Sequence, residues 1–255
     1  MSRFVRLTKL TPIEQFISDL VIGRPSYEEA YRNAWAATKQ ANRLMTQADM
    51  AQFVEPDHTD PFGVSWLHPY TPSVDTAALH RQAQEQDRRA DLQAKLVIDC
   101  ADQSLRRLAY ALKLNRKRVA CGFGKLFNGV PLTVLLQHTM NCSRHVGQWD
   151  DNLQLVVPYD QVRTTDADTK RAIVSIEILQ RALGLGLHER ICEAPCWTVL
   201  KIFDGKFLDG KLGESEPDYS RFEAEVIRAA REIIGEAVPQ VLSDFDARLL
   251  SNAVA

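Results

Sequence analysis

Apolar and polar positions along this chain alternate mostly with the period of an α-helix. Near the amino end, Thr11-Pro12-Ile13-Glu14 combines a capping box with proline at the first helical position. In such a box the threonine and the glutamate satisfy backbone N–H groups that a helix start leaves orphaned. Gly23 and Pro25 predict that this helix stops after about 11 residues. Ser26 to Glu29 reads as a second capping box. Beyond it Tyr27, Ala30, Tyr31, Ala34, Ala37, Ala41 and Leu44 recur at helical spacing to about Met50.

Between Val54 and Thr76 the period is lost. Pro56, Pro61, Pro69 and Pro72, with Asp57, Thr59, Asp60 and Gly63, predict an irregular connection. Phe62, Trp66, Leu67 and Tyr70 make it too apolar for a free linker, so it is expected to pack on the main body. The domain reading is therefore a helical appendage at 1–55, the irregular connection at 56–74, and a main helical domain with a small β element at 75–255.

The longest helix is expected to begin near Asp75. Its first half, His80 to Gln93, is polar and predicts a solvated extension. Its second half puts Leu92, Leu96, Val97, Cys100, Ala101, Leu105, Leu108 and Leu112 on one stripe, the mark of a core helix. Asn128-Gly129 is a turn, and Pro131 opens a helix to about Trp149. Leu153 to Tyr159 is β-like. Thr165 or Asp166 caps a helix carrying Ile173, Val174, Ile176, Leu179, Ala182 and Leu183. The alternation from Trp197 to Phe203 predicts a strand, with Asp204-Gly205 turning it into a hairpin with Lys206 to Leu212. Two helices close the chain, at about Pro217–Gly235 and Pro239–Ser251. Their stripe of Phe222, Val226, Ile233, Ile234, Val238, Leu242, Phe245 and Leu249 is core or a dimer surface. No internal repeat is present. The fold class is mainly α, a helical bundle with a small β hairpin.

Composition agrees with a folded chain, since 45% apolar and 25% charged residues exclude disorder. No stretch approaches the roughly 20 apolar residues of a membrane span, and the amino end lacks the apolar run of a secretory signal. Cys100, Cys121, Cys142, Cys192 and Cys196 are an odd set lying mostly in apolar helical patterns, which predicts thiols in a reducing compartment. A soluble cytoplasmic protein, with no membrane association, is the expectation.

Charge changes the picture more. The net charge of −2 conceals a window from Gln103 through Trp149 that has no Asp or Glu. It carries Arg106, Arg107, Lys113, Arg116, Lys117, Arg118, Lys125 and Arg144, so the remainder of the chain is acidic. Such a patch attracts phosphates whatever the overall charge. The competing reading is that the acidic carboxy-terminal helix compensates it in space.

Within this window the helix after Pro131 gathers Leu132, Leu135, Leu136, Thr139, Ser143 and Val146 on one face, flanked by Met140 and Cys142. His138, Asn141 and His145 fall on the other side, with Arg144 beside Asn141. A stripe of His, Asn, Arg and His in an acid-free region can bind and polarise a phosphodiester. The plainer reading is a wet polar face. Trp149 either closes the core or stacks on a base.

Other motifs carry less. His188, Cys192 and Cys196, with Cys142 and His145 in support, have ligand chemistry for zinc, but Pro195 interrupts them and buried thiols are the expectation. Gly122-Phe-Gly124-Lys125 lacks the full phosphate-loop signature, and Gly184-Leu-Gly186 lacks that of a dinucleotide site. No cofactor is expected.

The long apolar helix with Cys100-Ala101-Asp102, followed by a helix bearing Asn141-Cys142-Ser143-Arg144-His145 and Trp149, resembles HEPN-type helical proteins over about residues 75–150. The resemblance implies a helical bundle, commonly dimeric, of prokaryotic defence or mobile-element systems. Many of its members are metal-independent ribonucleases that use an Arg and a His of one helix at a dimer interface. It implies roles for Arg144 in stabilising phosphate charge, His145 in proton transfer and Asn141 in orienting substrate. The family motif separates Arg from His by several residues, whereas Arg144 and His145 are adjacent; Arg181 and His188 have the spacing, with Gly184 and Gly186 between them. The expectation is RNA or another polyanion as partner, and a homo-oligomer. The alternative is a non-enzymatic scaffold or regulatory subunit whose partner surfaces are His80–Gln93 and the amino-terminal helices.

Overall fold

A computed structural model of the chain describes residues 11–52, 75–153, 167–185, 194–203 and 218–253. Within them the fold is mainly α, a helical bundle with one small hairpin. The elements are α1 (Pro12–Gln52), α2 (Thr76–Ala111), α3 (Arg116–Cys121), β1 (Leu126–Phe127), β2 (Val130–Pro131), α4 (Leu132–Leu153), α5 (Ala167–Leu183), α6 (Pro195–Lys201), α7 (Tyr219–Ala237) and α8 (Leu242–Ala253), with a 3-10 turn at Pro239–Val241 before the last.

The capping box forms as expected: Thr11 N–H donates to Glu14 Oε2 at 2.8 Å and Glu14 N–H to Thr11 Oγ1 at 3.2 Å. The helix it starts does not stop at Gly23. It continues through Pro25 to Gln52, so two expected helices are one. An interior proline costs about 3 kcal/mol. Burial on both sides offsets that cost, because Phe16 and Ile17 before it enter the same core as Ala30, Tyr31, Ala34 and Trp35 after it.

α1 and α2 form an antiparallel pair, as Tyr27 meets Cys100 at one end and His80 Nδ1 lies 3.4 Å from Met45 Sδ at the other. Their seam is built of alanine. Ala34, Ala41 and Ala48 on α1, and Ala83 and Ala90 on α2, are buried and seven residues apart within each helix. That heptad spacing keeps one seam facing its partner, and small side chains permit close backbone approach. The polar half of α2 is therefore solvated over most of its surface, as expected, but packs on α1 along its buried alanines. Leu92 and Leu96, placed in the core stripe by the periodicity, are 64% and 47% exposed, and Ile98 and Ala109 take their place inside.

α2 starts at Asp75, whose Oδ1 accepts from Ala78 N–H at 2.9 Å. α4 packs between α2 and α5, and α6, α7 and α8 close the remaining sides. The carboxy-terminal stripe is core: Phe222, Val226, Ile233, Ile234 and Phe245 are buried, and Phe245 packs on Phe16 with centroids 6.3 Å apart.

The hairpin lies elsewhere than expected. Trp197–Lys201 is helical, because Cys196, Trp197, Val199, Leu200 and Phe203 bury one helical face and Pro195 occupies the first turn. The strands instead flank Asn128-Gly129, with Leu126 opposite Pro131 and Phe127 opposite Val130. Both turn residues have positive φ (47° and 82°), the signature of the two-residue turn that matches strand twist. Leu153 ends α4, while the rest of the β-like segment, the cap at Thr165 or Asp166 and Lys206–Leu212 lie outside the described residues.

Candidate nucleic-acid interface

α4 presents its apolar face as the periodicity requires: Leu132, Leu135, Leu136, Thr139, Met140 and Cys142 are buried. The side chains of Val146 and Trp149 lie outside the described residues. The polar stripe divides between neighbours. His138 turns toward α5, where its Nδ1 is 2.9 Å from Ser175 Oγ. Burial, aided by the nearby Arg106 charge, lowers its pKa and keeps the ring neutral. Arg144 turns toward α2 and donates to Asp99 Oδ1 at 2.9 Å. Asn141 is half-buried and His145 exposed. The fold thus spreads His138, Asn141, Arg144 and His145 over a helix junction, with the one arginine already matched by a carboxylate.

The eight cations of the acid-free window separate into two sets. Arg106 donates to buried Asp102 at 2.8 Å, and Arg144 pairs with Asp99 as above. Arg118 donates to Glu236 at 2.7 Å and to the Gly122 carbonyl at 2.8 Å, with its guanidinium 4.2 Å from the Phe123 ring centroid. Lys125 lies 3.9 Å from Glu225. Spatial compensation by the carboxy-terminal helix, one of the two charge readings, accounts for this last pair of cations. It also occupies the loop with phosphate-loop character, since Gly124 N–H donates to Glu232 Oε2 at 2.7 Å. Gly124 (φ +88°) touches α7 so closely that a Cβ would stand 2.9 Å from Ala229 Cβ.

No family model, curated protein or solved structure matches this chain.

The second set is Arg107, Lys113, Arg116 and Lys117, all exposed at the corner where α2 turns into α3. Arg107 bonds only the neutral Gln103, at 3.1 Å, and none of the four has a carboxylate partner among the described residues. The corner is shaped locally. Lys113 N–H reaches Tyr110 O at 3.0 Å and Leu114 N–H reaches Ala109 O at 3.1 Å, closing α2 with Lys113 in the left-handed region (φ 59°). Asn115 then caps α3 by accepting from Lys117 N–H at 2.9 Å. Tyr110, 55% exposed, stands three residues after Arg107 on the same helix and so beside it.

Sequence reasoning missed Tyr110, Asp99 and Ser175. Tyr110 was discoverable as an aromatic interleaved with cations; the other two act across helix contacts that spacing does not reveal. For a metal, no group of three or more His, Cys, Asp or Glu gathers among the described residues. His188 and Cys192 lie outside them, and Cys196 is buried on the inner face of α6, its thiol pushed up to about 12 mainly by that burial. Arg181 sits just before Gly184, where α5 ends. No described helix is long and apolar enough to cross a membrane.

Proposed function

We propose that this protein binds single-stranded RNA through the α2–α3 corner, as a HEPN-like helical protein that binds without cleaving. One observation carries the reading: of eight cations in one acid-free window, the four without a carboxylate partner among the described residues are exposed and follow one another along the end of α2 and the start of α3. Phosphate contacts need cations that no protein carboxylate already neutralises. Tyr110 supplies a ring on which an unpaired base stacks, which favours a single strand. The left-handed Lys113 adds support, because a non-glycine residue there costs about 1–2 kcal/mol and such positions gather at functional sites. Arg144, whose guanidinium is already held by Asp99, supports binding without cleavage.

Anisotropy titration of a labelled single-stranded RNA over a range of salt tests this. Four phosphate contacts give a slope of about −3 in log K against log salt. The variant Arg107→Ala, Arg116→Ala, Lys117→Ala loses at least about tenfold in affinity and flattens the slope by about 2. Arg144→Gln leaves binding unchanged, and the RNA stays intact throughout. Equal binding by the triple variant removes the reading. The scaffold alternative draws on a different feature, the exposed Leu92 and Leu96 one turn apart on α2, and it predicts no salt-dependent RNA binding.

A further inference from the structure

Next to the corner, α1 and α2 leave an open cavity of about 310 Å³. Asp19, Gly23 and Tyr27 line it from α1, and Gln103, Ser104 and Arg107 from α2. This is large enough for one small ligand. Two opposite charges face it from opposite helices. The Asp19 carboxylate accepts from Gln15 Nε2 at 2.7 Å, and the Arg107 guanidinium donates to Gln103 Oε1 at 3.1 Å. Each is thus steadied by a neutral amide one turn away, and neither is neutralised among the described residues. Tyr27 closes one wall: its ring lies so close over Gly23 that a Cβ there would stand 2.4 Å from it. Its hydroxyl meets Cys100, and burial raises the phenol to about 12, so it remains a protonated donor.

Arg107 belongs to both this cavity and the corner. We infer that the cavity receives a guanine nucleotide, the Asp19 carboxylate accepting from the two adjacent donors of the base, Ser104 donating to its carbonyl oxygen, and Arg107 meeting the phosphate. Single-stranded bases are read on their Watson–Crick edges. There guanine alone offers two neighbouring N–H donors to one carboxylate, whereas adenine, cytosine and uracil each offer one donor group. That this nucleotide is part of a longer strand rests on the RNA-binding reading of the corner; the cavity itself does not.

Calorimetric titration of the intact chain with GMP and with AMP is the test. GMP binds about tenfold more tightly than AMP, the scale of one bidentate base contact. Asp19→Asn, which keeps the shape, abolishes that preference, and Ser104→Ala weakens GMP several-fold. Absent GMP binding, equal binding of the two nucleotides, or an unchanged preference in Asp19→Asn overturns the inference. A labelled oligouridine, with and without one guanosine, separates the two claims. Oligouridine binding with no gain from guanosine sinks the cavity and spares the corner. GMP selectivity without oligouridine binding upholds the cavity and sinks the corner.

Discussion

Asn128 carries two local demands at once. It sits at φ 47° in the hairpin turn, and its Nδ2 donates to the Ala182 carbonyl at 3.2 Å, capping the last turn of α5. Asn128→Gly keeps the backbone and loses the cap, while Asn128→Ala loses the cap and adds the left-handed strain. Alanine is therefore expected to destabilise by about 1–2 kcal/mol more than glycine, measured as urea midpoints at constant m. Residue roles of this kind are legible when the partner is near in sequence. Thr11 and Glu14 announced their box because three residues separate them. Asp91 did not announce that it accepts from Trp197 N–H at 3.0 Å and so caps α6, because 106 residues intervene.

At the scale of elements, the α4–α5 contact contains a titrating group. His138 faces Ser175 of α5 and the Arg106 charge of α2, and Arg106 is itself bonded to Asp102. Its pKa is lowered in the folded state by burial first, so the unfolded chain takes up the proton earlier on acidification. Stability is then unaffected above the ordinary histidine value of about 6.5 and falls as the pH drops through it. His138→Gln is expected to flatten the decline of Tm between about pH 7.5 and 5, relative to the parent chain. An equal decline in both would assign the loss to other groups. The misread elements share one cause. Pro25 and the Trp197–Phe203 alternation are local signals, and tertiary burial overrode both: α1 runs on because its two halves enter one core, and α6 is a helix because its buried residues fall on one helical face.

Over the whole molecule, the charge map depends on α7. Glu225 and Glu236 hold Lys125 and Arg118, while the corner has no such screen. Glu225→Gln with Glu236→Gln is expected to free two cations of the acid-free window, Lys125 and Arg118, together with Arg228 of α7 itself. RNA or heparin retention then rises and the salt slope steepens by about 1. Unchanged retention would show that these cations stay turned away from the polyanion even when unpaired. The same map explains why a continuous basic window yields only a compact corner: three-dimensional pairing decides which of its charges remain available.

The sequence by itself determined the helical class, the capping box at Thr11, the Asn128-Gly129 turn, the start at Asp75 and the apolar faces of α4 and α7, since periodicity and caps are written in neighbouring residues, whereas in α5 Val174 of the expected stripe is exposed and Ser175 and Gln180 are buried. It also exposed the acid-free window. Only the tertiary structure decided that the alanines of the polar half of α2 are a packed seam and that the hairpin lies at 126–131. It likewise decided that Arg144 is tied to Asp99 while Arg107, Lys113, Arg116 and Lys117 stand open at one corner. Those outcomes depend on which side chains meet across helices, and pairing between distant segments leaves no mark in local spacing.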